Sequence, residues 1–203
     1  MKIIQLPEPV LDSNFSIENA LLKRKSIREF LKTPFTLKDI SQLLWAAQGV
    51  THSEGFRTAP SAGTLYPLEI YVVAGNVIDL ESGIYKYNPF SHEILKIKAG
   101  NFREELFQAA LGQEWVKNGA VCFVITGVYS RITRKYGNRG IRYVDMEAGH
   151  AAQNLLLQAT ALDIGCVPVG AFYDNLVREI LGIGTEEFPL YLIPAGRYKS
   201  VNF

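Results

Sequence analysis

The chain has 203 residues, of which 48% are hydrophobic and 20% charged, and its formal net charge is +1. This length most simply predicts one domain over residues 1–203, with a core of its own. A net charge so close to zero gives no long-range field that would attract nucleic acid or an anionic membrane, so we expect neither as a partner. Cys122 and Cys166 lie in apolar stretches without CxxC spacing, which argues against a zinc motif or a disulfide.

The beginning of the chain, residues 1–7, has no sustained apolar run of the kind found in a signal peptide. The longest apolar stretch, residues 120–128, is far too short to cross a bilayer as a helix. We therefore expect a cytoplasmic protein.

Two helices are predicted before residue 50. Ser16 is a typical N-cap, and the apolar spacing behind it predicts a helix over 16–25. Thr36 and Asp39 have the spacing of a capping box, which predicts a second helix over 36–48 that Gly49 ends. Residues 51–66 form a long polar loop, and a loop of this length in a compact domain is more often functional than idle.

The rest of the chain alternates between strand and helix patterns. Residues 120–128 are almost continuously apolar, which is typical of a central strand covered on both faces. The predicted strands span 68–74, 83–88, 93–98, 120–128 and 188–194, and the predicted helices span 101–111, 142–162 and 174–181. These elements predict an α+β fold, with a mostly antiparallel sheet flanked by helices and one long central helix.

The first chemical signal is the run Arg24-Lys25-Ser26-Ile27-Arg28, which places three cations and a hydroxyl in five residues. Arginine side chains match phosphate bidentately, and a serine hydroxyl adds a short neutral donor. The alternative is a solvated helix end, because cations there complement the helix dipole.

The second signal is the run Pro60-Ser61-Ala62-Gly63, followed by Thr64. Small residues with a glycine let the backbone approach a flat ring closely. An anion site together with a ring site predicts a cofactor that carries both, and a phosphorylated flavin is the first hypothesis.

Two further segments are candidates for the same cofactor. Pro168, Val169 and Gly170 interrupt an apolar stretch, where a backbone N–H could donate to a ring nitrogen; a buried turn is the alternative. Arg197 follows a strand and a glycine, and is either a second phosphate ligand or a surface cation.

The sequence gives little support for a metal site, for the common catalytic and nucleotide-binding motifs, or for a nucleic-acid surface. The three histidines are scattered without ligand spacing, so we predict no metal. No GxSxG, P-loop or GxGxxG motif occurs. The basic stretch 131–142 favours a solvated or substrate-facing helix over a nucleic-acid surface, because the chain as a whole is not basic.

Together these segments resemble the FMN-dependent nitroreductase superfamily, in the same order, over residues 16–197. Residues 24–28 look like its flavin motif, and residues 59–69 look like its glycine loop. The helix that contains Glu147, Gln153 and Asn154 also matches the family order, as do residues 165–172 and 194–197.

The resemblance implies a homodimer with two FMN sites at the subunit interface. It places Arg24, Ser26 and Arg197 on the phosphate, and Lys25 near the ribityl chain or the phosphate. Arg28 would lie at the pyrimidine edge and the Gly170 amide near N5, which makes these two the candidate catalytic groups. The remaining predicted cofactor contacts are Pro60, Ser61, Ala62 and Gly63 from the opposite subunit, Thr64 in the same loop, and Pro168 and Val169 against the ring.

Two departures from the family pattern leave the reaction open. Residues 64–68 replace an asparagine followed by glutamine-proline-tryptophan, and Val169 stands where typical nitroreductases carry a glutamate. The run from Ser61 to Glu69 is similar to the azoline-oxidising dehydrogenase branch, which aromatises thiazolines in peptides.

The leading expectation is hydride transfer from NAD(P)H to a small oxidised acceptor, such as a nitro compound or a quinone, with ping-pong kinetics. Tyr66, Tyr136 and Phe172 are candidates to stack on the second substrate. The alternatives are an azoline-type dehydrogenase that passes hydride to FMN and then to oxygen, a non-catalytic flavin-binding or storage module, and an α+β scaffold without flavin.

Overall fold

The computed structural model describes residues 2–199 and contains a seven-stranded sheet whose neighbouring strands are all antiparallel. The strands are β1 (Ile3–Gln5), β2 (Leu68–Ala74), β3 (Gly83–Asn88), β4 (Glu93–Ala99), β5 (Val121–Gly127), β6 (Ile164–Cys166) and β7 (Phe188–Arg197). The helices are α1 (Ile17–Lys23), α2 (Leu37–Gln48), α3 (Arg103–Ala109), α4 (Glu114–Asn118), α5 (Tyr129–Tyr136), α6 (Arg139–Ala161) and α7 (Asp174–Leu181). The sheet order is β1-β4-β3-β2-β5-β7-β6. The predicted α+β fold is confirmed.

Strand β5 lies between β2 and β7, and every one of its residues is buried. Its side chains alternate between two apolar clusters, as the two-residue period of a strand requires. Phe123 and Ile125 pack in the cluster that contains residues of α2 and α6, whereas Cys122 and Val124 pack with residues of α3, α4 and α7. The prediction that this strand is covered on both faces is confirmed.

The two ends of α2 follow the predicted local chemistry. The Thr36 N–H donates to Asp39 Oδ2 at 2.8 Å, and the Asp39 N–H donates to Thr36 Oγ1 at 3.3 Å. Gly49 ends the helix, with its N–H bonded to the Trp45 carbonyl. This helix packs along α6.

Several element boundaries differ from the sequence predictions. Helix α6 begins at Arg139, and the basic residues before it form the separate helix α5, because Gly137 adopts a φ of +55° between them. Strand β7 continues through Pro194 to Arg197, since β6 pairs with its last residues. The predictions missed β1, β6 and α4, which are three, three and five residues long. No helix of the described residues is long and apolar enough to cross a membrane.

Candidate functional site

Residues 24–31, which we call the edge segment, run along the edge of the sheet at β6 and β7. The Ile27 N–H donates to the Cys166 carbonyl at 2.9 Å, and the Leu31 N–H donates to the Arg197 carbonyl at 2.7 Å. These two bonds bring the predicted flavin motif, the turn after β6 and the end of β7 to one edge of the sheet. Three of the four predicted cofactor segments therefore meet within one chain.

Two glycines allow the edge segment to lie this close. A Cβ atom on Gly165 would stand 2.7 Å from Ile27 Cγ2, and one on Gly196 would stand 2.8 Å from Phe30 Cγ. Contacts this short would force the edge segment away from the sheet, so both positions favour a residue without a side chain.

We expect Gly196→Ala to lower the free energy of unfolding by about 1–3 kcal/mol, because the new methyl group overlaps Cβ and the ring of Phe30. Urea denaturation measures the change. Gly184→Ala is the matched control, since a Cβ there meets no atom within 4 Å, and its stability should be unchanged or slightly raised. Equal effects of the two substitutions would contradict this packing.

Two side chains of the predicted flavin motif, Arg24 and Ser26, are open to a ligand. Within residues 2–199, the side chains of Arg24 and Ser26 have no hydrogen-bonding partner, and Ser26 is exposed. The Arg28 guanidinium lies 5.4 Å from the centre of the Trp115 ring. Lys25 is exposed in the same segment. These cations and the hydroxyl suit an anionic group such as a phosphate.

Arg197 lies at the same edge of the sheet, and its side chain already binds two groups of the protein. Its Nη2 donates to Asp39 Oδ1 at 2.7 Å, and its Nη1 donates to the Leu162 carbonyl at 3.0 Å. A guanidinium has five N–H donors, so these bonds leave donors for a further anion. Its role on the phosphate remains a prediction.

The turn after β6 exposes a backbone donor. Val169 and Leu192 exchange two backbone hydrogen bonds, of 2.8 and 3.0 Å, which fix the turn on β7. The next residue, Gly170, is exposed, and a Cβ there would meet no atom within 4 Å. In the described part of the chain its N–H bonds no acceptor. Pro168 and Val169 come directly before Gly170 in the chain. A flat ring could pack against the open surface at Gly170.

From here on, the glycine loop means residues 59–66, the first part of the segment 59–69 that resembles the family's loop. These residues lie beside α5 and α6 rather than at this edge. Asn154 Nδ2 donates to the Thr58 carbonyl at 3.1 Å just before the loop begins. A Cβ on Gly63 would stand 2.8 Å from the Tyr136 hydroxyl and 2.9 Å from Lys135 Nζ. Lys135 is therefore a candidate site residue that the sequence analysis had placed only in a basic stretch.

The two halves of the predicted site are separated along α6. Ser61 lies beside Glu147 in the first half of this helix, whereas Arg197 binds the carbonyl of Leu162 at its C-terminal end. A rise of about 1.5 Å per residue separates Glu147 from Leu162 by roughly 20 Å along the helix axis. One chain thus does not bring Pro60, Ser61, Ala62, Gly63 and Thr64 to the edge segment.

The glycine loop has an uncommon backbone conformation. Gly63, Thr64 and Tyr66 have φ values of +62°, +57° and +45°. A residue other than glycine in this region costs about 1–3 kcal/mol and occurs most often at functional sites. The Tyr66 N–H donates to Ser61 Oγ at 2.9 Å, a bond that closes the loop on itself.

A buried polar cluster of Glu147, Gln48 and Arg57 lies against the glycine loop at Ser61. Glu147 is 2% exposed, and burial raises its pKa to about 7; the Ser61 hydroxyl, the Arg57 cation and the Gln48 amide oppose this rise. These neighbours favour the ionised carboxylate without completing a hydrogen bond of ordinary geometry to either oxygen. Arg57 Nη1 donates to Gln48 Oε1 at 2.9 Å.

The sequence analysis gave no role to Glu147, Gln48 or Arg57. The signal that could have revealed Glu147 is its position on the apolar face of α6, where Val144, Ala148 and Ala151 are buried. An acidic residue at such a position is rarely buried without a reason.

A comparison with known protein families decides the classification. The profile of the nitroreductase family matches residues 21–197. The chain belongs to the nitroreductase family. It is therefore an oxidoreductase of the flavin-dependent kind, and members of this family typically use FMN.

Individual relatives agree with the family. The chain is 49% identical over 194 residues to MJ1384 of Methanocaldococcus jannaschii, which bears the name nitroreductase, and the match covers 96% of both chains. A crystal structure from Anabaena variabilis that bears the same name has a TM-score of 0.86 and 30% identity, and the match covers 98% of this chain and 42% of that one.

A third relative has a different named role. The microcin B17-processing protein McbC of Escherichia coli is 25% identical over 133 residues, which cover 63% of this chain and 48% of McbC. The chain thus spans less than half of McbC and of the Anabaena protein. Relatives of this nitroreductase family chain include members of the azoline-oxidising branch.

Proposed function

We propose that this chain is an FMN-dependent oxidoreductase that takes hydride from NAD(P)H and reduces a small acceptor, such as a nitro compound or a quinone. The observation that carries the proposal is the edge of the sheet where the flavin motif, the Gly170 turn and Arg197 meet. Family membership supports the same chemistry.

The residues at this edge fit FMN by the chemistry of their donors. Arg24, Lys25, Ser26 and Arg197 would hold the phosphate end, and three of these four are cations. Pro168, Val169 and Gly170 would lie against the ring, where the open surface at Gly170 admits a flat group. Pro60, Ser61, Ala62, Gly63 and Thr64 would enclose the ring from the other subunit.

Bound FMN would supply the two-electron hydride chemistry. The Arg28 guanidinium would favour negative charge at the pyrimidine edge, and the Gly170 N–H would donate at N5. One positioned donor of this kind contributes about 3 kcal/mol to transition-state stabilisation in other enzymes. NAD(P)H gives up one hydride, and the acceptor gains that hydride and a proton from solvent. The donor and the acceptor would use the same open surface in turn, which predicts ping-pong kinetics.

The proposed site needs a second copy of the chain, because the glycine loop lies roughly 20 Å along α6 from the end that binds Arg197. Helix α1 offers a surface for that copy. Ile17, Leu21 and Leu22 on this helix are 56%, 58% and 83% exposed. Contiguous apolar exposure of this kind typically marks an interface.

We expect Leu22→Glu to convert a dimer into a monomer and to weaken FMN binding by at least about tenfold, because an interface carboxylate would be desolvated without a partner. Light scattering after size exclusion and an FMN titration measure the two effects. Ile3→Glu, at the opposite edge of the sheet, is the control and should change neither. A monomeric wild-type protein that binds FMN would contradict the shared site.

The phosphate contacts are tested by comparing two flavins. We expect Arg24→Ala to weaken FMN binding by about tenfold or more, the loss of a charge-assisted bidentate contact, and to leave riboflavin binding unchanged. Fluorescence titration of the flavin-free protein measures both affinities. Equal losses for FMN and riboflavin would show that Arg24 acts through folding and not on the phosphate.

An azoline-type dehydrogenase is the second candidate function. The run from Ser61 to Glu69 and the relationship to McbC favour it. In this reaction a thiazoline substrate would lose a hydride and a proton to become a thiazole, and oxygen would take them up as hydrogen peroxide. Anaerobic bleaching of the flavin by a thiazoline peptide, without NAD(P)H, would favour this candidate over the reductase.

A further inference from the structure

Within the described residues, neither candidate catalytic group makes a hydrogen bond that would fix its position. The Arg28 side chain is exposed, and within residues 2–199 it forms no hydrogen bond or ion pair. The Gly170 N–H bonds no acceptor in the same part of the chain. A group that acts at one point of a ring needs support from its surroundings, because a misplacement of about 1 Å can cost roughly a hundredfold in rate.

One corner of the fold touches both the Arg28 side chain and the turn at Gly170. It is formed by residues 109–115, which join α3 to α4, and we call it the α3–α4 corner. Leu111 and Gly112 have φ values of +58° and +72° there. A positive φ is uncommon for leucine and persists only where the surrounding structure imposes it. The Gly112 N–H donates to an α3 carbonyl at 3.1 Å, so the corner is closed by a bond to its own helix.

The Gln113 side chain ties the turn at Gly170 to this corner. Its Nε2 donates to the Ala171 carbonyl and to the Ala110 carbonyl, each at 2.9 Å. The Tyr173 N–H donates to the carbonyl of the last α3 residue at 2.8 Å, which is a second bond between the turn and the corner. The residue before Gly170 is bonded to β7, so the chain is fixed on both sides of the free N–H.

Trp115 lies two residues beyond Gln113 and supports Arg28. The guanidinium carbon of Arg28 is 5.4 Å from the centre of the Trp115 ring, which is within the range of a cation–π interaction. The indole Nε1 is buried and bonds no acceptor among the described residues, so the ring acts through its face. A guanidinium held in this way keeps its five N–H donors for another ligand.

We propose that Gln113 and Trp115 are positioning residues. Gln113 fixes the turn that presents the Gly170 N–H, and Trp115 fixes the Arg28 guanidinium, so that one corner sets the distance between the two groups. The action of these groups on a flavin ring rests on the proposed function above, whereas the contacts of Gln113 and Trp115 do not. Neither residue would touch the reacting atoms, and each acts through the group that it holds.

Hydrogen–deuterium exchange of the flavin-free protein tests the role of Gln113. Gln113→Leu keeps most of the volume and removes both donors, so the peptide 169–173 should exchange about three- to tenfold faster, as the loss of one hydrogen bond predicts. Gln108→Leu is the matched control, because this amide binds Glu104 within α3 and should leave the turn unchanged. Equal exchange of this peptide in the wild type and Gln113→Leu would overturn the role of Gln113.

A double-mutant cycle in urea denaturation tests the role of Trp115 without flavin. Arg28→Ala and Trp115→Leu should be coupled by about two- to fivefold in the unfolding equilibrium constant. Phe107→Leu is the matched control, since its ring faces Lys117 at 3.9 Å and should show no coupling to Arg28→Ala. Independent effects of Arg28→Ala and Trp115→Leu would contradict the proposed contact. Should Trp115→Leu fail to fold, Trp115→Met takes its place, because a flexible side chain fills the space without a ring.

The midpoint potential of bound FMN is a readout that a merely structural role would not move. A cation at the pyrimidine edge favours the reduced state, so Arg28→Ala should lower the potential. Trp115→Leu should lower it in the same direction, and Trp115→Phe, which keeps a ring face, should recover most of the loss. Trp115→Leu should add little to the shift of Arg28→Ala, because both changes remove the same effect. Fully additive shifts would overturn the role of Trp115.

The outcomes separate this inference from the proposed function. The predicted exchange and coupling in a protein that takes up no FMN would support the positioning contacts and contradict the proposed function. A protein that binds and reduces FMN, but whose potential and exchange are unchanged in Trp115→Leu and Gln113→Leu, would keep the proposed function and overturn the positioning roles.

Discussion

Replacing Asp39 with alanine should lower the free energy of unfolding by about 3 kcal/mol or more, because two stabilising roles meet in this buried carboxylate. Asp39 Oδ1 accepts from Arg197 Nη2, and Oδ2 accepts from the N–H and the hydroxyl of Thr36. The substitution leaves the half-buried Arg197 without its counter-charge and removes half of the α2 capping box.

Thermal and urea denaturation measure this loss, which corresponds to a fall of about 10 °C in Tm for a chain of this size. Asp39→Asn keeps the volume and part of the cap, so we expect an intermediate loss. Lys38→Ala is the control, since this neighbouring side chain is exposed and should change stability by less than about 0.5 kcal/mol. A small effect of Asp39→Ala would mean that Arg197 does not depend on this pair.

The Glu147→Gln variant should lose a pH dependence of stability that the wild type has. Glu147 has its pKa raised by burial to about 7, so the folded state binds more protons than the unfolded state between about pH 4.5 and 7. The stability contributed by this group is present at low pH and lost as the pH rises through this window. The wild type should therefore lose about 2–3 kcal/mol from Glu147 between pH 5 and pH 8.

Urea denaturation at pH 5, 6, 7 and 8 measures this slope in both proteins. At pH 8 the Glu147→Gln protein should be the more stable one, because it buries no charge at this position. Asp145→Asn controls for the loss of one carboxylate from the same helix. Parallel stability curves for the wild type and Glu147→Gln would show that Glu147 is ionised in the folded protein throughout this range.

The parts of the fold that could be predicted are set by interactions between residues that are close together in the sequence. The capping box of Thr36 and Asp39, and the apolar run that became β5, each depend on residues close together in the sequence. The order of the seven strands was not predictable from periodicity, because every pairing except those of β2 with β3 and of β3 with β4 joins strands that are distant in the chain. Strand β1 shows the limit most clearly, since its three residues are a strand only through pairing with β4.

Part of the candidate site could also be predicted from the sequence, and part of it could not. The flavin motif, the Gly170 turn and Arg197 could be proposed together because each has a recognisable composition and the family order is preserved. The bond from Ile27 to Cys166 that joins them was not readable from the sequence, because it depends on the fold. The cluster of Glu147, Gln48 and Arg57 was missed because only burial makes an ordinary glutamate informative.

The central claim is that this chain binds FMN and passes electrons from NAD(P)H through it. The most direct test is the visible absorption spectrum of the purified protein, supplied with FMN if needed, before and after anaerobic addition of NADH or NADPH. The proposed function predicts a bound-flavin spectrum that bleaches with at least one of these nicotinamides. A protein that takes up no FMN, or whose bound flavin stays oxidised with both, would contradict it.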